Sequence, residues 1–169
     1  YCVTTQLYDA RHMVQEFALT CQLFNLNGTP ITITNTLNNL QAAAEAERLG
    51  VPMVFTSDRE YNSFGGYIDK AHEGFGTAND PELAYALACF YGKAMRAVGI
   101  HVTFEPYANE IGAQYGENPE HIAKIISAEV SALQENGLSS CTKHWIGRGG
   151  DSNFGNARSV AQNFDNWMV

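Results

Sequence analysis

Asn79-Asp80-Pro81-Glu82 opens a stretch in which Leu83, Leu87, Tyr91, Ala94, Met95 and Val98 recur at helical spacing; Gly99 follows, and then the apolar run Ile100-His101-Val102-Thr103-Phe104. The pattern predicts a helix, a tight turn and a strand. The same grammar returns at Glu117-Asn118-Pro119-Glu120, where Ile122, Ile125, Ile126, Val130 and Leu133 lead to Gly137 and then to Leu138-Ser139-Ser140-Cys141-Thr142. In both copies Asp80 or Asn118 can accept hydrogen bonds from the free amides of a first helical turn. Proline takes the first helical position, where its missing N–H costs nothing. Glycine then ends each helix in a left-handed conformation that other residues avoid.

A less regular copy precedes these two. Thr34 or Asn35 is expected to cap a helix carrying Leu37, Leu40, Ala44 and Leu49, with Gly50 closing it and Val51-Pro52-Met53-Val54-Phe55-Thr56 as the strand. Strands separated by helices run parallel with right-handed crossovers, and short unalternating strands suit a sheet covered on both faces. The fold class read from this is α/β, built of parallel βα repeats. A closed (β/α) barrel and an open doubly wound sheet both satisfy it, and periodicity does not choose between them. No strand-to-helix junction carries Gly-x-Gly-x-x-Gly or a P-loop lysine, which argues against nucleotide binding. Residues 1–33 match no copy and stay unassigned.

Composition narrows the function classes. The 169 residues are 45% hydrophobic and 17% charged, enough for one domain with a real core. Ten basic against eighteen acidic residues give a net charge of −8, the opposite of the basic footprint that nucleic acid requires. No run of about 18 apolar residues offers a membrane span. The four cysteines form no Cys-x-x-Cys pair, so neither a zinc ribbon nor a thioredoxin-type motif is available. Cys89 and Cys141 fall in apolar patterns and are read as small buried hydrophobes rather than disulfide partners. His12, His72, His101 and His121 show no ligand spacing. The stretch from Asp151 fails as a calcium loop because its twelfth position is Gln162 rather than glutamate. No metal or cofactor is therefore expected.

In parallel α/β folds the chemistry collects at the carboxyl ends of the strands. There the sequence places Thr56-Ser57-Asp58-Arg59-Glu60, then Glu105-Pro106-Tyr107-Ala108-Asn109-Glu110, then Lys143-His144-Trp145, each followed by a connection too long for an ordinary βα turn. Asp58 can accept two hydrogen bonds from vicinal hydroxyls, or serve as an ion-pair partner. Lys143 and His144 put two donors side by side, and Trp145 offers an apolar platform of the kind that stacks on a pyranose ring. Glu110 and Glu117 are further carboxylates, although Glu117 lies at a helix entry where it favours the helix dipole. No Gly-x-Ser-x-Gly elbow is present.

Leu37-Asn38-Asn39-Leu40-Gln41 with Ala44-Glu45, Arg48-Leu49-Gly50-Val51-Pro52 and Ser57-Asp58 form one group of motifs. Gly99-Ile100, Tyr115-Gly116-Glu117-Asn118-Pro119, Leu133-Gln134 and Lys143-His144-Trp145 with Gly147 and Gly149 follow in order. Together, from about Asn35 to Gly150, the chain resembles the N-terminal barrel domain of glycoside hydrolase family 3, and residues 34–169 are assigned to part of such a TIM-type barrel. The resemblance implies that Asp58, Lys143 and His144 bind hydroxyls of the sugar in the −1 subsite. It implies retaining, β-glucosidase-like hydrolysis of a terminal β-linked sugar, with a small oligosaccharide or β-glucoside as substrate and a carboxylate pair about 5 Å apart as nucleophile and acid/base.

The sequence departs from the family at named places. The family's arginine before the Tyr115-to-Pro119 motif has no counterpart, and Gln114 stands near its position. A histidine used by the N-acetylhexosaminidase branch is replaced by a loop holding Arg148 and Asn153, which points away from that branch. The nucleophile and the acid/base are expected outside these 169 residues, so no catalytic residue is assigned. Eight βα units take about 250 residues, and the remainder of the barrel, as another chain or a longer polypeptide, is the expected partner. The alternative is a carbohydrate-binding or structural remnant that keeps Asp58, Lys143 and His144 without turnover. Compartment stays open, the resemblance pointing to a secreted or periplasmic one.

Overall fold

The computed structural model describes residues 2–3, 7–17, 21–24, 28–58, 71–106, 115 and 118–143. In chain order its elements are β1 (Cys2–Val3), α1 (Leu7–Phe17), β2 (Cys21–Phe24), α2 (Pro30–Glu45), β3 (Val54–Ser57), α3 (Ala71–Ala78), α4 (Pro81–Ala97), β4 (Val102–Thr103), α5 (Pro119–Glu135) and β5 (Ser139–Ser140). Three of the helices start on one device. Asp80 Oδ1 accepts the amides of Glu82 and Leu83 at 3.0 and 3.1 Å, Asn118 Oδ1 accepts that of His121 at 3.1 Å, and Thr29 Oγ1 accepts that of Thr32 at 3.3 Å. Each cap is followed by a proline in the first turn, where no amide partner is lost.

The ends of α4 and α5 are also alike. Gly99 and Gly137 take φ of +102° and +77°. The next residue in each case, Ile100 or Leu138, returns its amide to the helix at Met95 or Leu133, at 3.0 Å both times. Ile100 and Leu138 are fully buried. One turn therefore stops the helix, satisfies its last carbonyls and drops an apolar side chain into the core at the start of the next strand.

The least regular copy is where expectation and structure part. α2 begins at Pro30 under a Thr29 cap, so Thr34 and Asn35 are interior helical residues rather than caps. The Thr36 hydroxyl turns back to the Thr32 carbonyl at 2.9 Å, which keeps threonine tolerable inside the helix. The helix stops at Glu45, leaving Leu49 outside it and 68% exposed. β3 starts at Val54 rather than Val51: Pro52 has no N–H for a ladder, and the Met53 amide is taken by the Gln41 side chain at 3.2 Å. Within residues 1–33, β1, α1 and β2 continue the alternation.

All four strand pairings are parallel and the strands lie in chain order, β1-β2-β3-β4-β5. A doubly wound sheet must reverse its direction of growth at a switch point. Among the described strands this sheet does not, and steady winding is the arrangement of a (β/α) barrel. The α/β class and its parallel repeats are thus as read, and of the two architectures the barrel type is the one present.

Between sheet and helices lies a core in which Leu40, Ala88, Met95, Ile100, Ile125 and Leu133 are fully buried. Burying a side chain of leucine size contributes about 1.5–3 kcal/mol. α4 and α5 meet where Gly92 faces Leu133; a Cβ at position 92 would sit 3.2 Å from Cβ of Asn136. On the rim of that contact the Tyr85 hydroxyl donates to Glu135. Cys21, Cys89 and Cys141 are free thiols. Cys141 is exposed, against the expectation of a buried hydrophobe, because its strand is only two residues long and it lies just past the end. No helix among the described residues is long and apolar enough to cross a membrane.

Candidate functional site

Asp58 is the first residue past β3, and Lys143 stands three residues past Ser140, the last residue of β5. β4 runs between these strands. Because all three are parallel, their carboxyl ends share one rim, and residues far apart in sequence meet there. The Lys143 ammonium donates to Asp58 Oδ1 in an ion pair, with the two side chains 17% and 38% exposed. Partly open to water, such a pair contributes only modestly to stability. It does hold a strong donor and a strong acceptor side by side at the surface, the complement of two neighbouring hydroxyls.

Polar residues at the same strand ends are buried. Ser57, Thr103 and Glu105 are fully buried at the ends of β3 and β4. The Lys143 amide donates to the Pro106 carbonyl at 3.1 Å, and the Ser140 hydroxyl donates to the Glu105 carbonyl at 2.6 Å. Of the three residues that the sequence nominated, Asp58 and Lys143 are brought into contact. His144 lies outside the described residues, as do Arg59, Trp145, Glu110, Glu117, Gln114, Arg148 and Asn153.

A buried carboxylate on α5 has no role in the sequence reading. Glu129 occupies a position on the apolar stripe of α5, between Ile125 and Leu133, and is fully buried. Its Oε2 accepts the hydroxyl of the buried Tyr115 at 2.8 Å. Gly76 of α3 lies against Tyr115 so closely that a Cβ there would be 2.6 Å from the Tyr115 carbonyl carbon. His121 Nε2 reaches the Gly76 carbonyl at 3.2 Å. A carboxylate interrupting an apolar stripe was a readable signal that the residue had a partner; which partner was not readable.

His101 sits at the opposite, amino end of β4. Its Nδ1 accepts the Phe55 amide at 3.0 Å, and its ring packs on that of Phe55 with centroids 5.8 Å apart. Burial, with the Arg96 charge second, holds its pKa below the ordinary histidine value. No group of three or more histidine, cysteine or acidic side chains that could hold a metal ion occurs among the described residues.

The rim chemistry and barrel winding coincide with a family assignment. The family model described as "Glycosyl hydrolase family 3 N terminal domain" matches residues 10–163. The chain belongs to glycosyl hydrolase family 3. This family 3 domain is 30% identical, over 170 aligned positions, to a periplasmic beta-glucosidase/beta-xylosidase of Dickeya chrysanthemi, an alignment that takes in 85% of the chain and 26% of that relative. Among solved structures it resembles the family 3 beta-N-acetylglucosaminidase of Paenibacillus sp. str. FPU-7, with a TM-score of 0.78 and 28% identity over 89% of this chain and 32% of that one. The beta-N-acetylglucosaminidase of Thermotoga maritima shares the fold, with a TM-score of 0.73 and 19% identity, over 97% of this chain and 38% of that one. The family 3 domain thus spans about a quarter to two-fifths of the length of these relatives. The match from residue 10 onward also takes in most of α1 and all of β2, which no sequence motif places.

Proposed function

We propose that this chain contributes the −1 sugar subsite of a retaining glycoside hydrolase acting on terminal β-linked sugars, β-glucosidase-like in its preference. The observation that carries the reading is the Lys143–Asp58 ion pair at the carboxyl rim of the sheet. A carboxylate and an ammonium that already satisfy each other can exchange that bond for a sugar diol, the carboxylate accepting from one hydroxyl and the ammonium donating to the next. The cost is low because the pair is partly solvated and its net contribution to folding is small. His144, next in the chain, is proposed to supply a further hydroxyl contact. The nucleophile and the acid/base, which retaining chemistry places about 5 Å apart, are proposed to come from other parts of the barrel. The β-linked glucoside preference, and with it an extracytoplasmic location, is supported by the likeness to a periplasmic beta-glucosidase/beta-xylosidase.

An aryl β-glucoside assay of this chain together with the remainder of its barrel, run beside glucose binding, tests this. Product release that is abolished in Asp58→Ala supports a hydrolase. Glucose binding that needs Asp58 and Lys143, with no release, supports a carbohydrate-binding role without turnover. Failure of the chain to bind glucose at millimolar concentration refutes the sugar site. The 28% identity to a beta-N-acetylglucosaminidase structure favours a second reading, in which the sugar carries an N-acetyl group. Parallel assays with aryl β-glucoside and aryl N-acetyl-β-glucosaminide separate the two.

A further inference from the structure

We infer that Ser140 is a positioning residue for Lys143, acting through a one-residue bulge at Glu105–Pro106; the inference deepens the sugar-site reading above and rests on it. The ladder between β4 and β5 begins regularly. The Ser139 amide donates to the His101 carbonyl and the Cys141 amide to the Thr103 carbonyl, both at 2.9 Å, so that each step advances two residues on each strand. The next regular step would join Lys143 to Glu105. Instead the Lys143 amide reaches the Pro106 carbonyl at 3.1 Å. One extra residue has entered on the β4 side, which is the definition of a bulge.

The slip moves the Lys143 amide off the Glu105 carbonyl, and Glu105 is fully buried. A buried carbonyl must find another donor. The Ser140 hydroxyl is that donor, at 2.6 Å. A regular ladder would have satisfied the same carbonyl with backbone alone, so the bulge and the serine that closes it are an arrangement in addition to what pairing needs. Bulges bend the strand end and re-aim the side chains beside them. The side chain beside this one is Lys143, which leaves β5 toward Asp58. Ser140 therefore acts on Lys143 through the Glu105–Pro106 backbone: closing the bulge sets the direction in which the ammonium points.

The test uses three variants of the full chain. Ser140→Thr keeps the hydroxyl, Ser140→Val replaces it with a methyl group of the same shape, and Ser140→Ala adds no atoms. The first readout is the rate at which limiting acetic anhydride modifies Lys143, followed by peptide mass spectrometry, since pairing with Asp58 slows that reaction. The second is glucose affinity. Loss of one hydrogen bond of this kind corresponds to about a five-fold change. Ser140→Val and Ser140→Ala are expected to speed Lys143 acetylation and weaken glucose binding about five-fold, at temperatures well below their melting points, with Ser140→Thr close to the parent in both. Equal acetylation in the Thr and Val variants overturns the inference, as does a lowered melting temperature with unchanged Lys143 reactivity. If the parent chain binds no glucose yet Ser140→Val exposes Lys143, the sugar-site reading fails and the positioning role stands.

Discussion

The same substitution at two glycines of α3, two residues apart, should shift stability in opposite directions. Glycine inside a helix costs about 1 kcal/mol relative to alanine. At Gly74, which is exposed, an added Cβ meets nothing within 4 Å. Gly74→Ala should therefore gain up to about 1 kcal/mol, or roughly 2–4 °C in melting temperature for a chain of this size. At Gly76 the same methyl group would lie 2.6, 2.7 and 2.7 Å from the carbonyl carbon, Cα and carbonyl oxygen of Tyr115. These are backbone atoms of a fully buried residue whose hydroxyl is already committed to Glu129, so no flexible side chain can yield. Overpacking of this kind costs about 1–3 kcal/mol, and a backbone obstacle puts it at the upper end. After the gain of about 1 kcal/mol in helix propensity, Gly76→Ala should lose a net of about 2 kcal/mol, or roughly 4–8 °C. Thermal melts followed by circular dichroism, with urea titrations checked for an unchanged m-value, measure both. A Gly76→Ala protein as stable as Gly74→Ala would show that α3 does not hold Tyr115 by close backbone approach.

Three other outcomes follow from the geometry. His101 is held below its ordinary pKa, mainly by burial, and accepts the Phe55 amide only when neutral. Its contribution is thus complete above pH 6.5 and shrinks as pH falls below that value, so the urea midpoint should drop between pH 7.5 and 5.5; an equal drop in His101→Asn, which keeps an acceptor but does not titrate, would rule this histidine out as the cause. The Tyr85 hydroxyl, donating to Glu135 with Cys89 nearby, has its pKa pushed up to about 12. A raised value means stabilisation that is full below pH 10 and lost as pH climbs toward 12; ultraviolet titration should find a late tyrosine component that shifts back toward 10 in Glu135→Gln. Asp80→Ala removes the acceptor for two first-turn amides of α4 and should cost about 1 kcal/mol, with Asp80→Asn close to the parent, as read by the denaturant midpoint; equal losses would show that the charge rather than the cap matters.

Much of the architecture was legible because its devices are local. A cap, a proline and a glycine separated by one apolar stripe are set by backbone chemistry within a few residues, so α4 and α5 and the strands after them lie where their patterns indicate. The same grammar was present at Thr29-Pro30. There polar Thr32, Thr34 and Asn35 dilute the apolar stripe and hide the helix, whereas in the folded chain Thr36 satisfies itself on the turn below. β1 and β2 were not legible, since residues 1–20 hold neither the proline nor the closing glycine that marked where the later strands, equally short, begin.

By itself the sequence determined the alternation of helix and strand, the parallel sense that alternation forces, and the rim on which Asp58 and Lys143 would fall. Each follows from interactions within one unit of chain. Tertiary structure alone decided that the sheet winds steadily in one direction, that Lys143 reaches across β4 to Asp58, and that a bulge closed by Ser140 aims it there. Those depend on which strand lies beside which and on a single residue of register. Hydrogen bonds between strands carry that information, and no span of sequence short enough to read contains both ends of them.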